Sequence, residues 1–175
     1  MRLEGANLTA QIAGGDLLPG KVNYFIGSDP KNWRTDVPSY ARVKYAGIYP
    51  GVDLVFYGNQ HRLEYDFVVA PGADPKAIEL SLKGAQKLWI NSKGDLILSI
   101  SGGQVALQKP VIYQIVKGDR RAIQGSYLVA RNQSVSFAIS DYDKSAPLII
   151  DPVLNYSTYL GGSAAPNGDL GSGIL

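Results

Sequence analysis

The chain has 175 residues, with 17 Lys+Arg against 15 Asp+Glu, one histidine and no cysteine. Its length fits one domain or one domain with a fragment attached, and the missing cysteines exclude disulfides, thiolate nucleophiles and cysteine-based zinc sites together. A formal charge of +2, spread evenly, argues against a nucleic-acid partner, and the lone His61 excludes a histidine-rich metal centre.

The opening, Met1-Arg2-Leu3-Glu4-Gly5-Ala6-Asn7, has no apolar h-region after Arg2 and does not read as a signal peptide. No stretch approaches the roughly 18 apolar residues of a membrane helix, so no membrane span is expected. Residues 1–21 read as a lead-in strand. Ser28-Asp29-Pro30 ahead of Lys31-Asn32-Trp33 predicts one short helical turn, capped by Asp29 or Ser28, with Pro30 at its first position. Elsewhere the period is two. Leu63, Tyr65, Phe67 and Val69 alternate with Glu64, Asp66 and Val68, and similar runs follow at Ile78-Leu80-Leu82, Leu96-Leu98-Ile100, Val111-Tyr113-Ile115 and Val135-Phe137-Ile139. Turn residues separate the runs: Tyr57-Gly58-Asn59-Gln60, Ser92-Lys93-Gly94-Asp95, Ser101-Gly102-Gly103 and Lys117-Gly118-Asp119. Pro147 and Pro152 bracket a last strand. About ten short strands, tight antiparallel connections and almost no helical periodicity predict an all-β antiparallel sandwich over residues 22–153, followed by a Gly/Ser-rich tail over 154–175.

The densest polar cluster is His61-Arg62-Leu63-Glu64-Tyr65-Asp66. On a strand, Arg62, Glu64 and Asp66 share a face with roughly 6.5–7 Å between neighbours. Two carboxylates at that separation suit glycoside hydrolysis, with Arg62 splitting their proton affinities. The competing reading is a solvated strand face carrying an ion pair. Asp53 is either a third catalytic carboxylate or a structural partner of Arg42 or Lys44. Tyr57, Asn59, His61, Arg62 and Trp33 are the candidate ligand-binding residues, with Tyr57 and Asn59 lining a binding edge. His61 with Asp66 or Asp53 and Ser39, Ser99 or Ser101 forms a triad on paper only, because no nucleophile elbow accompanies it.

No metal site is expected, since Asp141-Tyr142-Asp143 and Asn167-Gly168-Asp169 lack calcium-loop spacing. No cofactor is expected either, because Gly14-Gly15 and Gly102-Gly103 are not followed by the Lys-Ser/Thr and helix of a phosphate loop. Tyr40, Tyr45, Tyr49, Tyr57, Trp33 and Trp89 either stack on sugar rings or fill the core.

Five segments in fixed order carry a resemblance. They are Val22-Asn23-Tyr24-Phe25-Ile26-Gly27-Ser28-Asp29-Pro30, Trp33-Arg34-Thr35-Asp36-Val37-Pro38, Tyr49-Pro50-Gly51-Val52-Asp53-Leu54-Val55-Phe56-Tyr57-Gly58-Asn59, the run from Leu63 through Asp74-Pro75, and Pro147-Leu148-Ile149-Ile150-Asp151-Pro152. Together they resemble the uncharacterised N-terminal β-rich domain that precedes SBBP-type β-propeller repeats in bacterial secreted and surface proteins. Tyr156-Ser157-Thr158-Tyr159-Leu160-Gly161-Gly162-Ser163 is similar to the opening of a first repeat, which reads as truncated here. The resemblance implies an extracellular or cell-surface location and no reaction. The expected function is a non-catalytic binding or scaffold module of an exported multidomain protein, its partner a polysaccharide or a cell-surface molecule. The alternative is a small hydrolase, a glycosidase rather than an esterase, using Glu64, Asp66 and Asp53. The β-prone strip Tyr156-Ser157-Thr158-Tyr159-Leu160 is expected to add to a neighbour's sheet and form a homodimer.

Overall fold

The computed structural model describes residues 1–59, 62–152 and 154–155. In chain order the strands are β1 (Arg2–Leu3), β2 (Gln11–Tyr24), β3 (Arg34–Tyr49), β4 (Val52–Asn59), β5 (Arg62–Val69), β6 (Leu80–Ser81), β7 (Lys87–Ile90) and β8 (Leu96–Ile100). They continue as β9 (Gly103–Leu107), β10 (Val111–Val116), β11 (Asp119–Ile123), β12 (Gly125–Val129), β13 (Ser134–Ile139), β14 (Leu148–Asp151) and β15 (Leu154–Asn155). Two 3-10 turns, Pro30–Asn32 and Pro75–Ala77, complete the described structure. In each, an aspartate (Asp29 or Asp74) accepts from the backbone N–H two residues on, and a proline takes the first helical position.

Three antiparallel sheets result, ordered β1-β6-β13-β12, β11-β10-β14-β5-β4-β3-β2 and β15-β9-β8-β7. The architecture is an all-β sandwich. Alternation decides what lies between the layers. Val52 and Leu54 of β4, Tyr65, Phe67 and Val69 of β5, and Leu148 and Ile150 of β14 point inward and are buried. Opposite them stand Leu80, Tyr127, Val135 and Phe137 of the first sheet, with Leu96, Leu98 and Leu107 of the third joining the same core. Each such side chain taken from water contributes about 1.5–3 kcal/mol. Aromatic rings thread this seam: Tyr45 meets Phe56, Phe56 meets Tyr65, and Tyr65 meets Phe67 edge-on at 5.8 Å. Phe67 then crosses between layers to Phe137 at 6.1 Å.

Two internal polar features fix loops against the core. The Gln114 side chain is fully buried; its amide N–H groups donate to the carbonyls of Asp143 and Ala146 at 2.7 and 3.1 Å, and its carbonyl accepts from the Asp143 N–H. The Pro50-Gly51 turn between β3 and β4 needs glycine, since φ at Gly51 is +70° and an added Cβ would lie 2.5 Å from that of Ala73.

The described residues hold fifteen strands where the turn signals predict about ten, and two of them are long. β2 has 14 residues and β3 has 16, and β2 is the free edge of the seven-stranded sheet. The boundary expected at residue 21 therefore falls inside β2. Tyr57, Gly58 and Asn59 belong to β4 rather than to a hairpin loop, and β4 pairs with β5 out to Asn59 and Arg62. The expected pairing strip at Tyr156-Ser157-Thr158-Tyr159-Leu160 lies outside the described residues.

Candidate functional site

Because Tyr65, Phe67 and Val69 face the core, Glu64 and Asp66 project from the opposite face of the seven-stranded sheet. On one side β4 sets Tyr57 opposite Glu64 and Val55 opposite Asp66. On the other, β14 pairs Ile149 with Val68 and Ile150 with Phe67, which brings Asp151 opposite Asp66. Directly opposed side chains on antiparallel strands have Cβ atoms roughly 4.5–5.5 Å apart. The carboxylate pair formed across strands is thus Asp66 with Asp151, and Glu64 stands one step along β5.

Aromatic and basic groups surround the pair. The Tyr57 hydroxyl donates to Asp66 Oδ1 at 3.0 Å. Arg42, opposite Tyr57 on β3, holds its guanidinium 5.8 Å from the Tyr57 ring centre and pairs with Asp16 at 2.9 Å. On the far side, Arg120 of β11 lies 3.7 Å over the ring of Tyr113 on β10. Burial, reinforced by the Asp151 charge, pushes the Asp66 carboxyl up to about 6, against the Tyr57 hydrogen bond and the Arg42 charge. Burial and then Glu64 also raise Asp151, while Arg120 pulls it back. Burial and then the Asp66 charge hold the Tyr57 and Tyr113 hydroxyls above the usual tyrosine range.

Asp53 takes a different role. Partial burial raises its carboxyl, but the Lys44 ammonium at 2.6 Å and the Gly47 N–H at 2.8 Å outweigh that and hold it below the ordinary aspartate value. It pins the register shift between Tyr45 and Tyr49 of β3, where Gly47 has φ +64°. Of the two cations named from sequence, Lys44 is the partner.

The remaining candidates do not converge. The side chains of Asn59 and Arg62, and all of His61, lie outside the described residues. Trp33 closes the tip of the β2–β3 hairpin, where its Nε1–H donates to the Gly27 carbonyl and its ring meets Phe25 edge-on at 5.1 Å. Nine residue steps along an extended chain separate it from Arg42, about 30 Å. The tyrosines disperse as well: Tyr49 is buried, Tyr45 packs on Phe56, Tyr40 is exposed, and Tyr57 alone reaches the carboxylates.

Chemically, a carboxyl that holds its proton near pH 6 beside a second carboxylate has the makings of an acid–base pair of the kind glycoside hydrolysis uses. Its setting is an open sheet face: Arg42 and Lys44 are half in solvent, and Val111 and Ile115 are exposed. A surface hollow of about 330 Å³ lies elsewhere, lined by Gln124, Gly125, Ser126, Ala138, Ile139 and Ser140, and holds no carboxylate. Among the described residues no group of three or more acidic or histidine side chains is placed to hold a metal ion, and no helix is long and apolar enough to cross a membrane.

Asp151, Tyr113 and Arg120 escape a reading of the sequence. The alternation Leu148-Ile149-Ile150-Asp151 puts Asp151 outward, but nothing local says that β14 lies against β5. No curated protein and no solved structure gives a significant match to the chain. A family model described as a domain of unknown function (DUF7948) matches residues 1–153, most of the chain, and the chain belongs to that family.

Proposed function

We propose that the chain is a non-catalytic binding or scaffold module of an exported bacterial multidomain protein, working outside the cell or at its surface. The observation that carries this reading is the position of the carboxylates. Glu64, Asp66 and Asp151 sit on the outer face of a sheet, with their aromatic neighbours capped by Arg42 and Arg120. An enzyme needs a concave, water-excluding site around its reacting groups. The order of motifs from Val22 to Pro152, similar to the domain ahead of SBBP-type repeats, supports the extracellular setting, with a polysaccharide or a cell-surface molecule as partner.

The Asp66–Asp151 pair favours a second reading, a glycoside hydrolase in which Asp66 carries the proton and Asp151 stays ionised. A panel of chromogenic glycosides and esters separates the two, assayed between about pH 5 and about pH 7 around the titration of Asp66. Wild type, Glu64→Gln and Asp66→Asn are all expected to be silent. Turnover by wild type that Asp66→Asn abolishes would replace the scaffold reading with the hydrolase.

A further inference from the structure

β4 pairs with β3 only from Arg42 to Tyr49. Beyond Arg42, residues 34–41 of β3 have β2 alone beside them among the described residues, and the two strands leave the sandwich as a ribbon. A two-stranded ribbon with no third strand and no covering layer is marginal in water. Here the tip is braced by the Phe25–Trp33 contact, the Asp29-capped turn and the Lys21–Asp36 pair at 3.3 Å.

The ribbon nonetheless holds apolar side chains in solvent. Leu17 is 68% exposed, Phe25 64% and Ile26 60%, with Tyr24, Tyr40 and Trp33 between 39% and 51%. Summed along the ribbon they leave roughly 700 Å² of residue surface uncovered, against the ~800 Å² that each partner contributes to a standard interface.

The charge pattern bears on what covers it. Residues 17–41 hold Lys21, Lys31 and Arg34 against Asp29 and Asp36, a balance of +1. Lys21 and Asp36 neutralise each other, and Asp29 is occupied by the Lys31 N–H. A surface built for a charged partner would show an excess of one sign. One that must meet its own copy about a two-fold axis has to complement itself, and a nearly neutral apolar patch does. The free edge of β2 is unsuited to continuous strand pairing, because Pro19 lacks an N–H and the register slips between Leu17 and Lys21. Contact therefore runs through side chains.

We propose that the β2–β3 ribbon is the self-association surface of this chain, two copies packing ribbon on ribbon about a two-fold axis. The pairing does not depend on whether the carboxylate face turns over a substrate. The test is the mass of the full chain in solution by light scattering after size exclusion, from about 1 to about 100 µM, the range over which a modest interface dissociates. Wild type is expected to pass from monomer to dimer. Leu17→Asp with Ile26→Asp, both at exposed positions, is expected to weaken association at least about tenfold while circular dichroism and melting temperature stay at wild-type values. Leu128→Asp, exposed on β12 of another sheet, is expected to dimerise like wild type. In a Trp89→Phe background Trp33 is the single tryptophan, and its emission is expected to shift to the blue as dimer forms. A wild type that stays monomeric throughout, a dimer that survives the double substitution, or a dimer that leaves Trp33 emission unmoved would each overturn the proposal.

Discussion

Asp66 faces Asp151 across two hydrogen-bonded strands, where like charges repel. The folded state answers by holding a proton on Asp66 to about pH 6, whereas the unfolded chain releases it near 3.8. A carboxyl raised on folding stabilises the native state most below its unfolded value, and that contribution is lost as pH rises through about 6. Asp66→Asn removes the repulsion and still accepts from the Tyr57 hydroxyl. Its free energy of unfolding from urea titration is expected to exceed that of wild type at pH 7.5, by about 0.5–1 kcal/mol because half of the carboxyl remains in water, and to match it at pH 4. A value lower than wild type at pH 7.5 would show that the charge on Asp66 supports the fold. Asp53 runs the other way: held low by Lys44 and Gly47, it stabilises above its unfolded value and loses that contribution on acidification.

At the scale of elements, hairpins were legible and neighbours distant in sequence were not. Lys117-Gly118 closes β10 onto β11, and Ser101-Gly102 closes β8 onto β9, as their turn chemistry requires. The alternation from Leu63 to Val69 gave β5 and the outward face of Glu64 and Asp66. The adjacency of β14 and β5 depends on contacts about 80 residues apart, which no local pattern encodes, so the partner of Asp66 stayed hidden. β2 was obscured for another reason. Residues 1–21 read as a lead-in strand without the alternation that marks the others, and as an edge strand β2 tolerates Gly14, Gly15, Pro19 and Gly20 because half of its backbone groups need no partner. Gln114 is a further long-range element, a buried side chain standing in for the strand partner that residues 143–147 lack. Gln114→Leu removes the acceptor of the Asp143 N–H and the donor to the Asp143, Ala146 and Pro147 carbonyls, of which only that of Asp143 keeps another donor among the described residues, the Ala146 N–H, at an expected cost of about 3 kcal/mol. Hydrogen exchange at Asp143 is expected to accelerate with it, and unchanged protection there would assign the loop's order to other contacts.

For the molecule as a whole, the ribbon adds no buried side chain to the core of the sandwich. No buried core residue falls between positions 11 and 47. Replacing residues 17–40 with Asn-Gly joins Asp16 to Ala41 through a turn suited to a two-residue hairpin. That shortened protein is expected to melt within a few degrees of wild type, measured by circular dichroism at low micromolar concentration. A fall of more than about 10 °C, equivalent to over 2 kcal/mol for a chain this size, would tie the ribbon to the core after all.

The place of β5, between β4 and β14 in the middle of the largest sheet, also governs how the protein is made. On the ribosome β4 and β5 emerge together and can zip at once. The inward rings of Tyr65 and Phe67 then wait for Leu148 and Ile150, which at bacterial and eukaryotic elongation speeds arrive roughly 4–16 s later. Throughout that interval the growing chain carries an unsatisfied strand edge and an uncovered apolar face, the state most open to aggregation until β14 is synthesised.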